Sequence, residues 1–182
     1  MKRQNWKMIF AATALFFGPG LFATAQSSSP QIPFCPAAQL SFALDGDNGE
    51  FNGMSHSGAL LVLRNLGPNA CTVPARPELG FETASHHPLP VSLEAPRGMH
   101  PGPVILPVVI PEGAKVTSQL RWVSSDAFGA NNGISPAFIT LSVGGETLRV
   151  KFTSQLFGPA GKQPTYSVTL FKSDSMNTPP HH

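Results

Sequence analysis

The chain has 182 residues, 41% of them hydrophobic and only 12% charged, about half the usual charged fraction. Three of the twelve basic residues, Lys2, Arg3 and Lys7, stand in the first seven positions; beyond them nine basic residues face ten acidic ones. That balance leaves no cationic excess for nucleic acid or anionic lipid and argues against both as partners. The 17 glycines and 19 prolines disfavour long helices and suit short strands joined by tight turns.

The N-terminus reads as an export signal. A positive stretch, Met1–Lys7, precedes an apolar run from Met8 to Phe17, and Ala23-Thr24-Ala25 supplies a small-x-small cleavage pattern. The run is too short to cross about 30 Å of hydrocarbon and is broken by Gly18-Pro19-Gly20. We expect residues 1–25 to be removed, with no membrane anchor left after cleavage. The expected destination is the periplasm or the exterior. Export also sets the reading of the two cysteines. In an oxidising compartment Cys35 and Cys71 are expected to form a disulfide. A catalytic thiol is the alternative, and it would need a histidine partner. Two widely spaced cysteines do not make a zinc motif.

Residues 26–34 form a Ser/Pro/Gln linker, expected to be mobile. Leu40, Phe42 and Leu44 alternate with smaller or polar residues, the period of a half-buried strand. A polar loop, Asp45–Glu50, continues to Ser57. Ala59–Leu63 is apolar on both faces, and the Asn65-Leu66-Gly67-Pro68-Asn69 punctuation after it favours a buried strand over a short helix. Leu79 and Phe81 mark the next strand; Leu89, Val91 and Leu93 mark another. The loop Arg97–Pro103 leads into Val104–Ile110, which Pro103 and Pro107 restrict to an edge or bulged strand. Val116, Leu120 and Trp122 face one way from a clean amphipathic strand; Lys115, Thr117, Gln119 and Arg121 face the other. Ser124–Pro136 reads as a loop. Ile139, Leu141 and Val143 form a strand, Gly144-Gly145 a two-residue hairpin turn, and Leu148, Val150 and Phe152 the return. Thr153–Pro164 reads as a loop, Tyr166, Val168 and Leu170 as the last strand, and residues 173–182 as a polar tail. About nine short strands without an amphipathic helix predict one all-β domain over residues 35–172, an antiparallel β-sandwich of immunoglobulin-like type, with a small barrel as the alternative.

Several motifs hint at chemistry. Gly53-Met54-Ser55-His56-Ser57 approaches a G-x-S-x-G nucleophile elbow, but Ser57 holds the final glycine position and no helix follows. Asp45, Asp47 and Glu50 suggest an oxygen-ligand calcium loop, yet the EF-hand register fails at Gly49 and Glu50. His56, His86, His87 and His100, with Met54 and Met99, offer imidazole and thioether ligands of the kind copper takes. His181 and His182 lie on the tail. Arg64, at the end of an apolar strand, is expected to pair with an acid at the rim. Arg121 is expected to point outward beside a core Trp122. No phosphate loop, paired catalytic carboxylates or dinucleotide fingerprint is present.

The order of features carries a resemblance. Cys35-Pro36-Ala37-Ala38-Gln39-Leu40 is followed by Gly58, Arg64-Asn65, Gly67 and Cys71-Thr72. Ala75–Phe81 comes next, and then Pro111-Glu112-Gly113-Ala114 with Leu120-Arg121-Trp122. This resembles the bacterial secreted family known as domain of unknown function 4232, over roughly Cys35 to Phe171. The resemblance implies an exported or lipid-anchored β-sandwich without an assigned activity. It also implies a second cysteine pair with a partner near Asn131–Ser135, where this chain has none. No catalytic residue carries over. The expectation is therefore a non-enzymatic exported module without a cofactor, binding an envelope or extracellular protein or polymer. The alternatives are a copper-type metal handler using the loop His and Met residues, and a hydrolase using Ser55 with a loop histidine.

Overall fold

A computed structural model describes residues 31–94, 104–126 and 129–173. The expected signal segment, residues 26–30 of the linker, the whole Arg97–Pro103 loop and most of the tail lie outside these. Thirteen strands occur among the described residues. They are β1 (Leu40–Asp45), β2 (His56–Asn65), β3 (Cys71–Val73), β4 (Leu79–Glu82), β5 (Ser92–Leu93), β6 (Val108–Ile110) and β7 (Lys115–Val123). They continue with β8 (Asn131–Ile134), β9 (Phe138–Val143), β10 (Glu146–Lys151), β11 (Leu156–Pro159), β12 (Thr165–Val168) and β13 (Lys172–Ser173).

The apolar stretch in β2 organises the larger sheet, whose order is β1-β2-β7-β12-β5 with β13 also on β7. Leu61 and Leu63 are fully buried, while Leu60 and Val62 are only half-buried. The strand therefore alternates, although its sequence is apolar on both faces. Leu61 sits opposite Leu44 on one side and Ser118 on the other; Leu63 sits opposite Phe42 and Val116. β7 keeps the predicted alternation, with Val116, Leu120 and Trp122 buried. Ser118 shares that inner face and is reconciled to it by donating its Oγ to the Thr169 carbonyl at 2.6 Å, as a buried hydroxyl must.

The second sheet has the order β10-β9-β4. Gly144 and Gly145, at φ 59° and 83°, close the β9–β10 hairpin as expected. The two sheets meet through aromatic rings. Phe81 of β4 contacts Tyr166 of β12 at 5.4 Å, and Phe152, just past β10, meets Trp122 of β7 edge-on at 5.1 Å. The protein is thus an all-β sandwich, built almost wholly from antiparallel pairs; the β12–β5 pairing is parallel.

Local chemistry explains where strands depart from the sequence pattern. Pro88 and Pro90 shorten the Leu89–Leu93 run to the two residues of β5. Pro107 confines Val104–Ile110 to β6, which pairs only with β3. The expected loops Ser124–Pro136 and Thr153–Pro164 contain β8 and β11, which pair with each other. β8 is small and polar, and the two apolar residues that open β11, Leu156 and Phe157, are too few to give a hydrophobic period. The last strand carries a bulge. Val168 pairs with Leu120, but Lys172 pairs with Thr117, so one extra residue sits on the β12–β13 side. Phe171 consequently turns inward and is buried, and Leu170, expected in the core, is exposed. Thr169 repairs the interrupted ladder: its Oγ1 accepts the Gln119 N–H at 2.9 Å.

Candidate functional site

At one end of β2 the chain is knotted together. Cys35 and Cys71 are bonded, with 4.9 Å between their Cα atoms. The expected mobile linker is engaged at its last residues. Pro33 O accepts the Thr72 N–H at 2.8 Å, and Phe34 forms a parallel bridge with Thr72. Asn65 is completely buried here. Its Nδ2 donates to Asn69 O at 2.8 Å, Ile110 O at 3.0 Å and Pro111 O at 3.3 Å, and its Oδ1 accepts the Gly67 N–H at 2.9 Å. The side chain thus ties the turn after β2 to the turn before β7. Nothing in this cluster is placed to do chemistry; its polar groups satisfy one another.

The chemistry candidates do not gather. Met54 is fully exposed. His56 opens β2, with its Nδ1 2.9 Å from the Ser55 hydroxyl, an exposed contact between neighbours in sequence. No third group orienting His56, as a nucleophile–base pair requires, appears among the described contacts. His86, at φ 63°, stacks on Phe138 at 4.9 Å and lies 3.2 Å from Glu82 Oε2. His87 Nδ1 lies 2.9 Å from Ser85 Oγ. Met99 and His100 lie outside the described residues. Among the described residues, no group of three or more His, Cys, Asp or Glu could hold a metal ion. Asp45 ends β1, and a 3-10 turn, Asp47–Gly49, follows it.

The charged residues settle differently. Arg64 meets no acid among the described residues. Its Nη1 donates to Gly113 O at 3.3 Å, because the β2–β7 register places Lys115 opposite it and the Pro111–Ala114 turn within reach. Arg121 does point outward, its guanidinium 5.7 Å from the centre of the Phe51 ring. Phe51 in turn covers Gly58, where a Cβ would lie 2.8 Å from Phe51 Cβ and 2.7 Å from the Leu120 carbonyl oxygen. On the second sheet Arg149 grips Glu82 in a two-pronged pair at 2.7 and 3.0 Å. That hydrogen bond, opposed by partial desolvation and reinforced by His86, holds the Glu82 carboxyl below its ordinary range. Burial pushes the Tyr166 hydroxyl up; it donates to Leu79 O at 3.3 Å.

Two surface features went unread in the sequence. One is an apolar rim. Phe34, Thr72 and Val109 stand side by side across the ribbon formed by residues 33–35, β3 and β6. Phe34 is 62% exposed, and the run into β6 adds Val104 at 88% and Leu106 at 75%. The other is a cavity of about 400 Å³ toward the opposite end of β2, roughly 20–26 Å from Asn65 by strand length. Leu44, Ser57 and Trp122 wall it on the larger sheet, and Lys151, Phe152 and Ser154 on the smaller.

The model of the family described as a domain of unknown function, DUF4232, matches residues 35–172. This chain belongs to that family. The matched span begins at Cys35, the bonded cysteine, and ends at Lys172 in β13, so it takes in the whole sandwich. Of the residues that carried the resemblance, Asn65, Gly67 and Cys71 form the structural knot, Thr72 lies in the rim, and Gly58 and Trp122 line the cavity. No curated protein and no solved structure matches the chain.

Proposed function

We propose that this DUF4232 protein is an exported, non-enzymatic binding module that docks on another protein of the cell envelope. The observation that carries the reading is the apolar rim of Phe34, Val104, Leu106 and Val109. Phe34 and Val109 flank Thr72 on this ribbon, and large apolar side chains gathered on a surface mark interaction sites on folded proteins. It lies on a short ribbon whose outer strand, β6, pairs on one side only, an arrangement suited to strand-to-strand contact. The disulfide and the N-terminal signal pattern support export. Among the described residues no helix is long and apolar enough to cross a membrane.

Site-directed photo-cross-linking in the native cell tests this. A cross-linker in place of Phe34 is expected to trap a discrete partner that a cross-linker in place of Glu146, on the charged β10 edge, does not. The Val109→Ser substitution should weaken the product. Equal yields from both positions, or none from Phe34, would refute docking through the rim.

A further inference from the structure

We propose that the cavity at the far end of β2 binds a small polyhydroxylated carboxylate, such as a sugar acid. The volume of about 400 Å³ lies within the range of ligand cavities, about 300–1,000 Å³. Its chemistry is one-sided. Lys151 is the one charged residue in the lining, and it forms no ion pair among the described residues. Asn52, Thr153 and Ser154 also line the cavity, and neither they nor Lys151 take part in any side-chain hydrogen bond among the described residues. Ser57 donates to Ser124 Oγ at 2.7 Å, which leaves its oxygen able to accept.

The wall also holds the indole ring of Trp122. Trp122 is 95% buried, and its Nε1 is the buried side-chain polar atom without a hydrogen-bond partner among the described residues. That N–H is closed off from the cavity, so a molecule bound there would meet the indole ring. An ammonium, an amide and two hydroxyls around one space form a polar, singly positive lining. The complementary molecule is rich in acceptors and carries one negative charge. Apolar surface in the wall comes from Leu44, Ala59, Trp122 and Phe152, and the polar surface of the lining exceeds it. The cavity lies at the other end of β2 from the rim, so this inference stands independently of the docking reading.

The test reads Trp122 as a reporter in the cavity wall. In protein carrying Trp6→Phe, Trp122 supplies the only indole N–H resonance. Titration with D-glucuronate is expected to shift that resonance saturably, with an affinity at least tenfold above that for D-glucose. Lys151→Met should remove most of that tenfold preference, and Lys162→Met, on a surface away from the cavity, should leave it intact. The absence of a saturable shift, equal affinity for the acid and the neutral sugar, or an equal loss in both lysine variants would each overturn the proposal.

Discussion

Replacing Asn65 with aspartate changes one atom group in the centre of the knot, and its consequence can be worked out from the contacts. The Asn65 NH2 group faces three carbonyl oxygens, those of Asn69, Ile110 and Pro111. Asn65→Asp puts a carboxylate oxygen where those donors were. Ionised, it meets three acceptors without water, so the proton is retained and the folded-state pKa rises above the ordinary value. Only one of the three carbonyls can then be satisfied. A lost net hydrogen bond costs about 0.5–1.5 kcal/mol and a buried unsatisfied group about 1–3, so we expect a loss of roughly 3–5 kcal/mol at neutral pH. At about 3–4 °C per kcal/mol for a domain of this size, the melting temperature should fall by roughly 10–20 °C. The pH dependence carries the signature. For a raised folded pKa the folded state binds more protons than the unfolded one. Part of the loss is therefore recovered below the unfolded aspartate pKa and returns as pH rises through the folded pKa. Denaturant melts at acid and neutral pH, each referenced to the parent protein, measure it. A deficit below about 1 kcal/mol, far under the range set by the lost hydrogen bonds, or one that does not shrink in acid, would refute this account of Asn65.

The Cys35–Cys71 bond closes a loop with a sequence separation of 36, for which the chain-entropy account gives about 4 kcal/mol. Reduction should lower the melting temperature by roughly 10 °C or more, and an unchanged melt would remove the bond from the stability of the fold. Thr169→Val deletes the oxygen that accepts the exposed Gln119 N–H, so it should cost about 0.5–1.5 kcal/mol; Thr169→Ser, which keeps the oxygen, should restore most of it. Equal losses in the two would show that the bulge is held by packing. Glu82, held low by Arg149, contributes stability that is present above its unfolded pKa and lost as pH falls through the folded one. The gap between parent and Glu82→Gln should therefore close on acidification, and a constant gap would count against the pair. N-terminal sequencing of exported protein is expected to begin at Gln26, and an intact Met1 would overturn the cleavage reading.

Much of the architecture was legible before any coordinates. Period-two alternation marked β1, β7 and the β9–β10 hairpin, because each has one wet face and one buried face. The signal was weaker where other rules ruled. β8 and β11 carry glycine, asparagine and proline, and they pair through backbone groups that leave no trace in side-chain hydropathy. The exchange of Leu170 for Phe171 depended on a single inserted residue, which flips every side chain after it to the other face. The cavity was wholly illegible. Asn52, Ser57, Trp122 and Lys151 come from four stretches of chain, and no spacing rule links them. The histidines were legible as ligand types, yet type says nothing of position. His86 and His87 are occupied in their own turn and His56 in contact with its neighbour.

Local rules, acting over a few residues, suffice for turns, strand periods and a cysteine pair in an exported chain. The sequence by itself therefore determined the all-β class, the order of the main strands, the disulfide and the family. Tertiary structure alone decided that Asn65 is a buried fastening and not a surface turn residue, that Arg64 meets a carbonyl instead of an acid, and that Phe34 and Val109 meet on one rim. These outcomes depend on which strand lies beside which, and pairing partners 35 to 67 residues apart are set by the global packing of two sheets, which no local pattern encodes.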